Sequence, residues 1–401
     1  MTERLYLNDS EQWHAWGKVT ACKETEWGYA VELDRSIFFP NKGGQPCDLG
    51  YIGGVGVLSV DEDGDRLVHL CKKPLTVGEN VEETLTIYRR FDFMRQHTGE
   101  HILSWCAHAV AQAVNVGFHC SKEYSTLDLD KPLNATQLKY MEMWANMIVR
   151  DNKPVTAKIY EKVEDLDNVQ LRKQTEGLTA PIRVVSIEGS DSCTCCAPHV
   201  KYTGEIGLIK IVQAVAYKGG TRITFLCGER AFNYLDKMQK IVDGLSRRFS
   251  TSYEKVEESV EKTLAELDAV KKQNKALSAR LEGYVAAELR QEAEDIKGKR
   301  LLVKVVEEAE PKRLRPLCQS TLNGKSMTLL LCPKGEKLNY ILMCKDIKLD
   351  MGEVLQAVNA ILNGKGGGRG DMAQGSAKRP EGLDEICGQL KFYLAQRLKS
   401  I

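Results

Sequence analysis

Two short segments carry side chains whose types and spacing suit metal chemistry. The first is His97-Thr98-Gly99-Glu100-His101. Residues four apart share one face of a helix, so both imidazoles can reach a single ion. The second is Cys193-Thr194-Cys195-Cys196-Ala197-Pro198-His199. Thiols and an imidazole packed this closely between strand-like segments suit a turn that offers sulfur and nitrogen to zinc. Spacing alone leaves Cys193, Cys195 and Cys196 as alternatives. The plainer reading is two histidines on a solvated helix face and a loop of free thiols. His97-x-x-Glu100-His101 also spells the inverted zinc-protease motif, with Glu100 as general base. That enzyme takes its third ligand from a distant carboxylate. Nothing in the sequence singles one out, and a sulfur-bearing turn does not fit it.

These segments must be positioned by the elements around them. Residues 1–90 read as short alternating strands (WGKVTACKET, YAVELDRSIFF, GVGVLSVDEDG, LVHLCKK) broken by Gly, Pro and Asp, which predicts a small β-barrel-like domain. The period changes near Phe91, where Phe93, Ile102, Leu103, Cys106, Val110 and Val114 fall at helical spacing. A second helix is expected over NATQLKYMEMWANMIVRD, capped by Asn134 or Thr136. PVTAKIY, IRVVSI, IGLIKIVQAVAY and TRITFLCG read as strands, so residues 91–235 form an α+β domain that carries the candidate metal site.

Residues 236–297 predict a helical connector. Leu267, Val270, Asn274, Leu277, Leu281 and Tyr284 are spaced 3, 4, 3, 4 and 3, a coiled-coil seam with one polar residue that would set register. A long helix, or a helical hairpin packed on its own domain, is the alternative. Residues 298–401 mix strands, two helices and a glycine-rich loop, GKGGGRGDMAQGS, and predict an α/β C-terminal domain. The fold class is thus α+β multidomain.

Composition narrows the setting. The 401 residues hold 56 Lys+Arg against 55 Asp+Glu, a net charge of +1, which excludes a histone-like or acidic-tail protein and leaves nucleic-acid binding open. The odd count of 13 cysteines is scattered along the chain, unlike a secreted disulfide framework. The N-terminus lacks a signal-peptide pattern and no apolar run approaches a membrane span. A cytoplasmic protein with reduced thiols is expected.

Four motifs carry a family resemblance. Phe38-Phe39-Pro40-Asn41-Lys42-Gly43-Gly44-Gln45-Pro46 is similar to the glycine-rich loop of the alanyl-tRNA synthetase editing domain. Arg95–His101 resembles that domain's HTxxH segment. Cys195–Val200, followed by Thr203-Gly204-Glu205-Ile206-Gly207, resembles its CGGTHVxxTGEIG segment. Gly364–Gly375 is similar to the glycine-rich motif in the same synthetase's C-terminal domain, which is shared with DHH-type phosphoesterases. Order and spacing agree, and the resemblance covers nearly the whole chain.

The resemblance implies a freestanding, long-type alanyl-tRNA editing protein without aminoacylation activity. Its activity would be hydrolysis in trans of Ser-tRNA(Ala), and of Gly-tRNA(Ala) in some members. Carried over by position, the zinc ligands would be His97, His101, Cys195 and His199. Gln45 and Glu100 would do catalytic work. Asn41, Gly43, Gly44 and Thr126 would bind the aminoacyl group, and Lys365 and Arg369 the tRNA. A homodimer through the coiled coil is also implied. The chain departs from the family at Cys196-Ala197-Pro198, where Gly-Gly-Thr is usual. The competing readings are a non-catalytic tRNA-binding zinc module, and a phosphoesterase, which is disfavoured because no Asp-His-His metal triplet lies upstream.

Overall fold

Alternation along the N-terminal strands is what closes them on themselves. The structure is a computed structural model that describes all residues except 167–168, 173–179 and 308–309. The chain divides into two compact units, Met1–Arg248 and Phe249–Ile401. In the first, six strands form a barrel: β1 (His14–Thr25), β2 (Gly28–Leu33), β3 (Gly50–Ile52), β4 (Val55–Asp63), β5 (Arg66–Cys71) and β6 (Asn80–Leu85). They run in the order β1-β2-β5-β4-β3-β6. Inward positions such as Val19, Val31, Leu33, Ile52, Val60, Leu67 and Val81 are fully buried and fill the interior.

The β2–β3 connection carries the Pro40–Pro46 loop. Lys42 and Gln45 exchange backbone hydrogen bonds at 3.2 and 3.1 Å around Gly43 (φ +62°) and Gly44 (φ +76°), the two-residue hairpin turn that needs positive φ at both centres. A Cβ on Gly44 would lie 2.3 Å from the Phe118 carbonyl oxygen, so glycine also permits this loop to sit on the neighbouring strand.

Helix α1 (Ile87–Ala111) leaves the barrel directly, and a buried ion pair fixes how. Arg90 and Asp48 are at most 1% exposed. The guanidinium reaches both Asp48 oxygens, at 2.6–3.1 Å, and donates to the carbonyls of Ser10 and Ile37. Asp48 Oδ2 in turn accepts from the Phe39 N–H at 2.7 Å. One ion pair therefore ties the glycine-rich loop to the helix that carries His97 and His101.

Around α1 lie β7 (Asn115–Cys120), β8 (Ser125–Leu129), α2 (Ala135–Arg150), β9 (Val155–Tyr160), β10 (Ile182–Ile187), β11 (Ser192–Thr194), β12 (Ile209–Tyr217), β13 (Gly220–Cys227) and α3 (Glu229–Phe249). The strands make an antiparallel sheet β12-β13-β8-β7 and a three-stranded sheet β9-β10-β11. Asn134 caps α2, its side chain accepting from Gln137 N–H while the Gln137 side chain returns the bond. Helices α1 and α2 bury Met94, Ile102, Leu103, Met141 and Ala145 against Leu127, Ile223 and Phe225. Gly99 allows α1 a close approach: a Cβ there would stand 2.3 Å from Cys227 Sγ.

The second unit begins with α4 (Val256–Gln291) and continues through β14 (Glu294–Ile296), β15 (Lys299–Val305), α5 (Leu314–Thr321), β16 (Ser326–Lys334), β17 (Lys337–Lys345), α6 (Met351–Leu362), β18 (Lys365–Arg369), β19 (Met372–Lys378) and α7 (Leu383–Lys399). Its sheet runs β14-β15-β16-β17-β19-β18, with only β15 and β16 parallel. Strand β16 is apolar on both sides: Met327, Leu329 and Leu331 meet α6 and α7, whereas Leu330 and Cys332 meet α5 and the end of α4. The seam residues of α4, Leu267, Val270, Leu277, Leu281 and Tyr284, are exposed.

The glycine-rich segment expected as a loop is instead the edge hairpin β18–β19. Its glycines serve backbone contact: Cβ atoms on Gly366 and Gly368 would lie 2.3 Å from the carbonyl oxygens of Gln374 and Met372. Among the described residues, no helix is long and apolar enough to cross a membrane.

Candidate active site and metal centre

Helix α1 presents His97 and His101 one turn apart, on a face buried by the barrel loop and by the turn after β11. The turn returns Cys195 and His199 to the same place. Side-chain donor atoms of His97, His101, Cys195 and His199 all lie within 4.8 Å of one another. Cys195 Sγ is 3.5 Å from His97 Nε2 and 3.3 Å from His199 Nε2. A tetrahedral ion with nitrogen and sulfur ligands would set such neighbours about 3.3–3.6 Å apart, so the spacing fits.

The rest of the site orients these donors. Gln45 Oε1 accepts from His97 Nδ1 at 2.9 Å. Asp191 Oδ2 accepts from His101 Nδ1 at 2.9 Å, and Thr98 Oγ1 lies 3.0 Å from His199 Nδ1. Each ring is thereby held through Nδ1, leaving its Nε2 for an ion. Asp191 is itself held by Arg172, whose Nε donates to Oδ1 at 2.6 Å. Burial raises the Asp191 pKa, but the His101 hydrogen bond and the charges of His101 and Arg172 outweigh it and keep the carboxylate ionised. Burial likewise opposes ionisation of Cys195. The neighbouring imidazoles, His97 first, prevail and hold its pKa well below the ordinary thiol value. A half-buried thiolate beside three buried imidazoles held through Nδ1 is the donor set a metal ion requires.

Beside this cluster is a cavity of about 580 Å³, lined on the ligand side by His97, Glu100, His101 and Cys195. Phe39, Lys42, Gly43 and Phe118 line it on the loop side, and Arg172, Arg183, Cys193 and Cys196 elsewhere. Glu100 is 4% exposed, so this face of α1 is not the solvated helix face of the plainer reading. Its Oε1 accepts from Ser104 Oγ at 2.5 Å and Asn115 Nδ2 at 2.6 Å, and its Oε2 stands 3.9 Å from His101 Nε2. Gln45 Nε2 is buried without a hydrogen-bond partner among the described residues.

Of the residues expected to bind the aminoacyl group, Gly43 lines the cavity, whereas Gly44 packs on the Phe118 backbone and Asn41 and Thr126 lie elsewhere. Asn41 is exposed and spends its side chain on the loop: Nδ2 donates to Asp61 and Oδ1 accepts from the Cys47 N–H. Thr126 sits on β8 opposite His119 and Thr224, away from the cavity wall. Lys365 and Arg369 lie on β18 in the second unit, both exposed. Sequence reasoning missed Asp191, Arg172, Arg183, Ser104 and Asn115. Only Ser104 had a local signal, standing four residues after Glu100 on one helix face.

Residues 182–247 match the family described as threonyl and alanyl tRNA synthetase second additional domain, and residues 298–396 match the DHHA1 domain. The chain is 30% identical to the alanyl-tRNA editing protein AlaX-L of Pyrococcus horikoshii, over 98% of this chain and 100% of that one. It is 28% identical to the alanyl-tRNA editing protein Aarsd1-A of Xenopus laevis, over 91% and 88%. An alanine–tRNA ligase of Methanoregula boonei is 30% identical over 89% of this chain but only 40% of its own length. Among solved structures, the C-Ala domain of Aquifex aeolicus alanyl-tRNA synthetase shares 32% identity, covering 26% of this chain and 97% of that one, with a TM-score of 0.24.

Proposed function

The chain belongs to the family of alanyl-tRNA editing proteins, hydrolases of a carboxylic ester, and on that premise we propose that it deacylates mischarged tRNA(Ala). Its substrates are Ser-tRNA(Ala) and, secondarily, Gly-tRNA(Ala), cut in trans in the cytoplasm. The observation that carries this reading is a cluster of four donors spaced for a metal ion, opening onto a cavity that also holds a buried carboxylate.

His97, His101, Cys195 and His199 would hold zinc, which the tetrahedral nitrogen and sulfur donor set favours. When bound, zinc supplies Lewis acidity beside the ester. Glu100 supplies the base. With Oε1 held by Ser104 and Asn115, Oε2 is the oxygen left to accept a proton from water. The water oxygen bonds to the acyl carbon, the bond from that carbon to the ribose oxygen breaks, and the proton passes through Glu100 to the departing ribose hydroxyl. Gln45 positions His97 through Oε1 and offers its unpartnered Nε2 to the seryl hydroxyl. A buried donor left unpaired by alanine is how such a site rejects Ala-tRNA(Ala). Gly43, at the cavity wall with no side chain, lets the aminoacyl group approach the backbone.

In the second unit, exposed Lys365 and Arg369 would contact tRNA phosphates. The exposed α4 seam supports a homodimer, and light scattering that shows a monomer at micromolar concentration would contradict it. The activity is tested by serine release from Ser-tRNA(Ala) with zinc-loaded protein. Release with no loss in a Glu100→Gln variant would remove Glu100 from the mechanism.

A further inference from the structure

Arg183 lies in the cavity wall and is 8% exposed. Its Nη1 donates to the carbonyls of Cys195 and Ala197, at 2.8 and 2.9 Å. Its Nε is buried with no acceptor among the described residues. Nη2 makes no hydrogen bond to the described residues, so the whole Nε–Nη2 edge is unused. Among the described residues no carboxylate forms an ion pair with it. The two other cations at the wall differ: Lys42 pairs with Glu62, and Arg172 with Asp191. An arginine stays charged even where burial lowers its pKa, and the Cys195 thiolate offsets that charge without a hydrogen bond to the Nε–Nη2 edge. A merely structural staple would need only Nη1. The free edge has the planar two-donor geometry that matches a phosphate.

The substrate of the proposed reaction has one anion to offer here. The aminoacyl group carries an ammonium, and the ester joins it to the 2′ or 3′ oxygen of a terminal ribose. The nearest negative charge is the phosphate on that nucleoside's own 5′ oxygen. We propose that Arg183 binds the 5′-phosphate of the terminal adenosine through its Nε–Nη2 edge, so that the site reads a phosphorylated nucleotide rather than a nucleoside ester. This rests on the deacylase reading of the same cavity.

The test compares two small substrates, 2′(3′)-O-seryl-adenosine and its 5′-monophosphate, with zinc-loaded protein. The wild type should prefer the phosphorylated ester in kcat/KM by about tenfold to a hundredfold. That ratio should fall towards one in Arg183→Gln and be intermediate in Arg183→Lys, each checked for zinc content. A wild-type ratio near one, or a ratio unchanged in both variants while rates fall, overturns the phosphate role and leaves the deacylase standing. Failure of the wild type to cut either ester or Ser-tRNA(Ala) overturns the deacylase reading, and this one with it. Calorimetric titration of the wild type needs no variant: AMP should bind at least about tenfold more tightly than adenosine, and equal affinities would contradict the proposal.

Discussion

Gln45 and His97, 52 residues apart in the chain, meet at 2.9 Å between Oε1 and Nδ1. This bond makes the glycine-rich loop of the barrel an outer support of the four-donor cluster. It sets the His97 ring so that Nε2 faces Cys195. Gln45→Ala should therefore weaken zinc binding about 10–100-fold, measured by competition with a chromogenic chelator. An unchanged affinity would mean that the contact does not orient the ring.

Gly99 is glycine because of Cys227. A methyl group on residue 99 would come within 2.3 Å of the Cys227 sulfur. Gly99→Ala should destabilise the protein by about 1–3 kcal/mol in urea unfolding, through overpacking. Adding Cys227→Ala should recover most of that loss, since the obstructing atom is gone. Additive losses in the double variant would place the strain elsewhere.

Arg90 and Asp48 form a fully buried pair, so each protects the other from being an isolated charge. Asp48→Ala should cost about 3–5 kcal/mol. Asp48→Asn, which keeps an acceptor for the Phe39 N–H, should cost less. Equal and small losses for both would make the pair dispensable.

Inside the barrel, Ser36 Oγ lies 2.6 Å from Glu83 Oε2 and 2.9 Å from His69 Nε2. His69 Nδ1 is 3.1 Å from the Val31 carbonyl. Burial raises the Glu83 pKa to about 7 and lowers that of His69 to about 4. A raised acid binds a proton in the native state that it has lost in the unfolded state. Its contribution is thus lost as pH rises from about 4.5 to about 7. Neutral His69 acts oppositely, adding stability as pH rises from about 4 to about 6.5. Glu83→Gln removes only the first effect. Relative to wild type, it should gain up to about 3 kcal/mol between pH 4.5 and pH 7.5. A pH-independent difference would show that Glu83 does not titrate in this window.

How much of this was legible depended on whether the determining contacts were local. His97 and His101 were readable because helix geometry alone puts residues four apart together. Cys195 was not separable from Cys193 and Cys196 by spacing, since the choice depends on how the turn meets α1. Asp191 and Arg172 carry no local signal, and tertiary packing brings Asp191 to His101 from 90 residues away. Two barrel strands were also hidden: Gly50–Ile52 is three residues long, and in Asn80–Leu85 the buried Glu83 breaks the apolar alternation. The Gly366–Gly368 run read as a loop because glycine weakens strand propensity, yet here the lack of side chains lets two backbones close. Asn41 had the right neighbours in sequence, but its side chain serves Asp61 rather than the cavity.

The central claim is that the His97, His101, Cys195 and His199 cluster serves ester hydrolysis. The most direct measurement is the rate of amino-acid release from Ser-tRNA(Ala) and Ala-tRNA(Ala) by zinc-loaded wild type and His101→Ala. Rapid release of serine but not alanine, abolished in the variant while the fold persists by circular dichroism, is the result expected. Serine release that survives in a folded, zinc-free His101→Ala protein would contradict it.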